Sequence, residues 1–178
     1  MFKKIKENEG LLFMIKIILV YVAWTIIRQS FVNIEFLIPY WADFNDFFAA
    51  KYVAASSWIL ENWYGYDLMY NKRNILPKGS SGVYVGNHCL GISAKFIFSA
   101  IIISLTGKWI HKFLFILLGL SIIVFINFLR ILMLAKQLTE GEVFMFDLNH
   151  KYIYVIFVYG VILGLIMIWE KYFAHKKS

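Results

Sequence analysis

Long apolar runs alternate with short charged segments along this chain, and four of the runs have the length of membrane-spanning helices. They cover about residues 11–28, 90–106, 112–134 and 150–169. We predict that each run forms a transmembrane helix.

The first of these runs also resembles a signal peptide, because a basic head precedes it. It is interrupted by Lys16 and closed by Arg28, and bulky or charged residues follow where a cleavage site needs small ones. We therefore predict an uncleaved membrane helix.

A further helical pattern, over residues 43–63, is amphipathic. Its acidic and small polar residues lie opposite an apolar face formed by Phe44, Phe48, Tyr52, Ala55, Ile59 and Trp63. Asp43 is expected to cap this helix, and Pro39 to break the connector that precedes it. Because the segment carries many charges, we expect it to lie on the outer membrane face or against the bundle.

The remaining polar passage, residues 64–88, is rich in turn-forming residues and is expected to be a loop. A short extended piece is predicted at 83–85, directly before the only cysteine, Cys89.

Composition agrees with a membrane location. The 178 residues are 61% hydrophobic and 16% charged, whereas soluble domains are about half apolar and about a quarter charged. The predicted fold is an all-α integral membrane protein. It has about four transmembrane helices and an amphipathic outer-face helix, in a single membrane domain spanning 1–178.

Charge and cysteine content exclude several classes of function. The formal net charge is +7, but the basic residues flank apolar runs and form no stripe with interleaved aromatics, so no nucleic-acid partner is expected. A single cysteine excludes an intramolecular disulfide and a multi-cysteine metal site. No metal or cofactor is expected.

The basic segments also predict the topology. Lys3, Lys4 and Lys6 at the head, the 107–112 turn and the basic tail share one side of a four-span arrangement, which the positive-inside rule makes cytoplasmic. We therefore expect a multi-pass protein of the cytoplasmic membrane with both termini in the cytoplasm. Treating 43–63 as a fifth span would separate head from tail, which the charge pattern disfavours.

This topology brings three distant residues to the extracytoplasmic face: Cys89, Arg130 and His150. A helix N-terminus favours a thiolate at Cys89, and Asp147 or Asn149 would cap the helix carrying His150. A neutral imidazole takes a proton from a thiol and returns it to a leaving amine.

Arg130 is the third member of this set. A permanent charge inside an apolar helix should face a polar cavity, where it stabilises a thiolate or an oxyanion. Each of the three residues also has a simpler alternative: Cys89 as a buried small hydrophobe, Arg130 snorkelling to the interface, and His150 as an interfacial polar residue.

Three further residues are candidates for supporting or rival roles in this site. Asn127 precedes Arg130 by three residues, shares its helix face, and is expected to orient the guanidinium. His88 is a rival base, although residues adjacent at a helix start tend to point apart. For Lys95 two interpretations stay open, snorkelling outward or lining the site.

The sequence resembles the exosortase/archaeosortase family from residue 83 to 169. The resemblance is carried by Cys89-Leu90-Gly91-Ile92, then by Asn127-Phe128-Leu129-Arg130-Ile131, and finally by His150 at the start of the last span.

The resemblance implies a polytopic membrane thiol peptidase or transpeptidase with Cys89 as nucleophile, Arg130 as stabilising cation and His150 as acid and base. It implies substrates that are membrane-anchored proteins with a C-terminal sorting signal, and a lipid or surface-glycan acceptor. Leu90 departs from the small residue that usually follows the cysteine, and the chain is short for the family.

Two other classes of function stay open. One is a non-catalytic membrane assembly factor or binding subunit, in which Cys89 only packs and Arg130 anchors a partner. The other is a transporter-like subunit that uses Arg130 for an anion, which the lack of an internal repeat disfavours.

Overall fold

Helices dominate the structure, a computed structural model that describes residues 9–79 and 82–174. Over these residues the α-helices are α1 (Glu9–Asn33), α2 (Ile38–Asn62), α3 (Ile92–Ser104), α4 (Trp109–Thr139), α5 (Val143–Leu148) and α6 (Tyr154–Trp169). A π-helical segment, Asn149–Ile153, joins α5 to α6, and a second one, Glu170–Ala174, follows α6. The structure is 79% helical, as expected for a helical membrane protein.

Three helices of the described chain are long and apolar enough to cross a membrane. They are Met14–Asn33, Trp109–Thr139 and the continuous rod Val143–Phe173. The fourth predicted span, 90–106, forms α3, which is apolar but only 13 residues long. Thirteen helical residues rise about 20 Å, less than the roughly 30 Å of a hydrocarbon core. The count of four spans therefore stays a prediction.

Charge-based topology rests partly on residues that the structure does not describe. The basic head with Lys3, Lys4 and Lys6, and the tail 175–178, lie outside the described residues. The cytoplasmic position of both termini therefore stays a prediction.

A bundle core lies between α3, α4 and α6. Its buried residues include Phe98 and Ile102 of α3, Phe115 and Ile123 of α4, and Trp169 of α6. Phe98 lies directly over Gly119, where a Cβ would overlap the phenyl ring. A larger residue at position 119 would have to displace the buried Phe98 ring, whereas glycine lets the two helices approach closely.

Two lysines stabilise the end of α3. Lys16 of α1 donates to the Ser104 carbonyl at 3.2 Å, and Lys112 of α4 donates to the Ile103 carbonyl at 2.8 Å. These carbonyls have no intrahelical amide partner, and a cation there also opposes the negative end of the helix dipole. Lys16, which interrupts the first apolar run, thus has a structural role within the bundle.

The region 64–88, expected to be a loop, instead contains a three-stranded antiparallel sheet. Its strands are β1 (Leu68–Tyr70), β2 (Asn74–Pro77) and β3 (Val83–Tyr84), in the order β1-β2-β3. Tyr70 pairs with Ile75, and Ile75 pairs with Val83. The extended piece predicted at 83–85 is confirmed as β3, which leads the chain towards Cys89.

A second core, the sheet-side core, lies between this sheet, α2 and the last turns of α4. Its buried residues are Ala49, Tyr52, Val53, Leu60, Leu68, Ile75, Val83, Val85, Cys89, Leu90, Ile131 and Ala135. Three antiparallel strands with one apolar face on a helix pair have enough buried surface to persist, unlike an isolated hairpin.

Two details predicted for α2 are wrong. The helix begins at Ile38, and Pro39 lies in its first turn, where the missing N–H has no helical partner in any case. Asp43 is therefore inside the helix and does not cap it. Of the six residues predicted to form the apolar face, only Tyr52 is buried, while Phe44 and Trp63 are exposed.

Small and polar residues form the buried face of α2 instead: Asn45, Ala49, Val53, Ser56 and Ser57, with Tyr52 and Leu60. Short side chains let a helix approach its neighbours closely. Helices in a membrane associate in this way, because burying apolar side chains gives little driving force when the surrounding lipid is itself apolar. Large aromatics on the exposed face then suit a membrane or interfacial environment.

Candidate functional site

Cys89 lies in a short 3-10 helix, Asn87–Leu90, between β3 and α3. Its N–H donates to the Gly86 carbonyl at 2.9 Å, and Gly91 ends the turn in the left-handed conformation at φ 63°. The thiol thus precedes α3 by a turn of its own, whereas the sequence had placed it at the helix N-terminus. Its residue is 6% exposed, within the sheet-side core.

Gly91 holds the cysteine turn against α4. Besides its positive φ, which favours glycine, it is so close to Asn127 that a Cβ would overlap the side-chain amide. Asn127 is buried, and its Nδ2 donates to the Ile123 carbonyl at 2.7 Å. The amide predicted to orient Arg130 therefore packs on the residue that follows the cysteine turn.

Arg130 and His150 are brought together through the main chain. Arg130 Nη2 donates to the His150 carbonyl at 3.1 Å, which joins α4 to the last helical rod. Arg130 is 7% exposed, and its Nε has no hydrogen-bond partner among the described residues. It lies more than two turns before α4 ends at Thr139, deeper in the helix than the sequence suggested.

The setting of His150 differs from the prediction. The helix that carries it begins at Val143, so neither Asp147 nor Asn149 caps it, and Asp147 instead accepts a hydrogen bond from Lys151 at 2.9 Å. His150 lies in the π-helical segment, and its imidazole stacks on Phe146 with centroids 5.7 Å apart. Such π segments inside α-helices are frequent at functional sites.

A cavity of about 300 Å³ lies beside these residues, and we call it the polar cavity after the polar side chains that share its lining with apolar ones. Its walls come from α1, α2, the cysteine turn, α3, α4 and α6. The polar lining residues are Arg28, Asn45, Asn87, His88, Ser93, Asn127, Arg130, Tyr154 and Tyr159. Of the residues singled out from the sequence, His88, Asn127 and Arg130 line it, while Cys89 and His150 are not among its lining residues.

Arg73 is a site residue that sequence reasoning missed. It forms an ion pair with Asp46 of α2, and its Nη1 donates to the Val85 carbonyl at 3.2 Å and to Asn87 Oδ1 at 2.9 Å. The Arg73 carbonyl accepts from the Val85 N–H at 2.7 Å. This arginine therefore ties α2 and the sheet to the segment entering the cysteine turn.

Lys95 packs against α2. Its Nζ donates to Tyr52 Oη at 3.2 Å and lies 5.1 Å from the centroid of the Phe48 ring. Burial raises the pKa of Tyr52 to about 12, so the phenol stays protonated and its oxygen accepts this bond. The lysine stabilises the contact of α3 with α2, and it is not among the residues that line the polar cavity.

Within the described residues, no group of three or more histidine, cysteine, aspartate or glutamate side chains is placed to hold a metal ion. The chain matches no protein-family model, no curated protein and no solved structure.

Proposed function

We propose that the protein is a membrane-embedded cysteine transpeptidase or peptidase that processes C-terminal sorting signals of exported proteins. Cys89 is the nucleophile, His150 the acid and base, and Arg130 the stabilising cation. The single observation that carries the proposal is the hydrogen bond from the Arg130 guanidinium to the His150 carbonyl. Arg130 also lines the polar cavity, and the cysteine turn packs against the same stretch of α4.

The packing around this bond supports the proposal. Gly91 and Asn127 fasten the cysteine turn to α4 one turn before Arg130, and Ile131 of α4 belongs to the same buried cluster as Cys89. The cysteine turn and the His150 main chain therefore contact the same stretch of α4, residues 127–131.

The proposed reaction proceeds in two stages. His150 takes the proton of the Cys89 thiol as the sulfur attacks a substrate carbonyl, and Arg130 opposes the negative charge that develops. The C–N bond then breaks, His150 protonates the leaving amine, and a thioester remains. An acceptor nucleophile or water attacks this thioester and releases the thiol.

Access to the sulfur is part of the proposal. Because Cys89 is 6% exposed, a substrate carbonyl reaches it only when the sheet-side core opens around the turn. Arg73, which ties this turn to α2, is then a positioning residue for the opening and closing of the site.

The location follows from the charge pattern. The site faces the extracytoplasmic side of the cytoplasmic membrane, and both termini are cytoplasmic. The substrates are membrane-anchored proteins ending in a short motif, an apolar span and a basic cluster, and the acceptor is a lipid, a surface glycan or water.

The burial of Cys89 favours a second candidate function. A free cysteine packed among apolar side chains is also what a non-catalytic assembly or binding subunit would contain. In that case Arg130 would only brace α4 against the last helical rod.

Removal of the nucleophile separates these two functions. Exported proteins are compared by mass spectrometry of their C-terminal peptides, in cells carrying the wild-type chain or Cys89→Ala. Cleaved C termini should disappear and full-length precursors should accumulate in the membrane with Cys89→Ala.

Ser121→Ala is the matched control, because Ser121 is an exposed residue of α4. The change removes a hydroxyl oxygen, as Cys89→Ala removes a thiol sulfur. It should process substrates like the wild type. Unchanged C termini in the Cys89→Ala strain, at matched levels of the protein, would leave the non-catalytic function.

A further inference from the structure

The polar cavity contains two arginines and no acidic side chain. Arg28 of α1 and Arg130 of α4 both line it, and its lining includes no aspartate or glutamate. In the part of the chain that the structure describes, the ion pairs involve other residues: Arg73–Asp46, Lys78–Asp67, Lys136–Glu140 and Lys151–Asp147. Two cations in an apolar bundle are costly unless an anion opposes them.

Two buried polar atoms indicate what such an anion carries. Arg130 is more than nine-tenths buried, and its Nε is a donor without a partner in the described chain. Asn45 is fully buried, and its Oδ1 is an acceptor that also has no hydrogen-bond partner in the described chain. A ligand with both an oxyanion and a hydrogen-bond donor would satisfy the two groups.

The cavity lies between helices that leave a gap. α1 and α6 each pack against α3, but they do not pack extensively against each other. The lining residues at this gap, Val32 of α1 with Val155 and Tyr159 of α6, are also exposed. Both helices belong to candidate membrane spans, so residues exposed between them would meet lipid when the helices cross a bilayer.

We propose that this cavity binds the phosphate headgroup of a membrane phospholipid. The phosphate lies between Arg28 and Arg130, a headgroup hydroxyl or ammonium donates to Asn45, and the acyl chains pass through the gap between α1 and α6 into the bilayer. Basic pockets between transmembrane helices recognise phospholipid headgroups by this combination of charge and access. The site shares Arg130 with the proposed catalytic set, but binding of a phosphate there requires no chemistry at Cys89.

Native mass spectrometry tests this directly, with the full chain purified in detergent, freed of lipid and titrated with phosphatidylglycerol. Arg28→Gln should weaken binding by about tenfold or more, because one charge-assisted contact is lost. Lys78→Gln is the matched control: it removes the same charge from the sheet hairpin, away from the cavity, and should bind like the wild type. Equal affinities of wild type and Arg28→Gln would overturn the proposal.

A second variant tests the route of access without changing charge. Val155→Trp places a bulky ring at the gap, so it should weaken phosphatidylglycerol binding several-fold and weaken binding of inorganic phosphate less. Arg28→Lys keeps the charge and should bind phosphatidylglycerol better than Arg28→Gln, which guards against a fold defect. Arg28-dependent binding of inorganic phosphate without Arg28-dependent binding of phosphatidylglycerol would show a free phosphate site and overturn the lipid assignment.

Discussion

The same helix, α4, contributes to both cores of the molecule, and its two halves are packed in different ways. Near its start, Phe115, Gly119 and Ile123 interlock with α3 and α6 in a bundle core of large apolar side chains. Near its end, Ile131 and Ala135 meet the sheet-side core, which is built from mostly aliphatic residues of α2, the strands and the cysteine turn.

The two regions therefore differ in role: the bundle core packs helices together, and the sheet side of the molecule holds polar groups in position. The bundle core fills its volume with rings and branched chains, and Phe98 over Gly119 leaves no space at the crossing. On the buried face of α2, Asn45, Ser56 and Ser57 carry polar atoms without partners in the described chain, each of which lowers stability. Such a region is suited to hold polar groups at defined places, and unsatisfied groups of this kind often mark function.

The largest effect should follow from breaking the bundle core. Phe98→Ala removes a fully buried ring between α3 and α4 and should lower the free energy of unfolding by about 3–5 kcal/mol. Thermal unfolding in detergent measures this. Leu118→Ala, an exposed residue of α4, is the control and should change the midpoint little. Equal losses in both variants would contradict the assignment of Phe98 to a tightly packed core.

The next effect concerns activity. Arg130→Lys keeps the charge but loses the planar donor set that reaches the His150 carbonyl, so processing of a sorting substrate should fall by about 10²-fold. Thermal unfolding of the purified variant should stay near that of the wild type. Near-normal processing at matched expression would remove Arg130 from the catalytic set.

A smaller effect is expected where the sheet is tied to the cysteine turn. Arg73→Gln removes the ion pair with Asp46 and should lower stability by about 1–3 kcal/mol, since Asp46 and the Val85 carbonyl lose a charged donor. Hydrogen exchange should speed up over residues 83–91 and not in α3 beyond them. Uniform acceleration across the chain would contradict a local role for Arg73.

The smallest effect is expected from the surface of the hairpin. Lys78 and Asp67 pair with both side chains largely exposed, so Lys78→Gln should change the free energy of unfolding by less than about 1 kcal/mol. A loss as large as that of Arg73→Gln, measured under the same conditions, would show that the hairpin is stabilised by its charges and not by its buried face.

Sequence periodicity predicted the bundle better than the sheet side. Long apolar runs specify helices such as α4 because one residue type repeats over many turns. The strands have only three, four and two residues, and they are stabilised by pairing and by burial of Ile75 and Val83, which no local pattern reveals.

The same limits apply to α2 and to the site. The apolar face predicted for α2 is mostly not buried, and small residues that periodicity did not single out make the helix contacts instead. Arg130 and His150 were selected from their positions in apolar helices, and they do meet, although through the His150 main chain. Arg73 carried no signal beyond a charged residue in a turn, since its partners lie on other elements.

Trapping the thioester tests the central claim, that Cys89 is the nucleophile, most directly. Hydroxylamine added to membranes containing the chain and its substrates would intercept an acyl-enzyme and leave a hydroxamate at the new C terminus, which mass spectrometry detects. We predict such hydroxamates with the wild-type chain and none with Cys89→Ala. Substrate cleavage and hydroxamate formation at wild-type levels with Cys89→Ala would contradict the account.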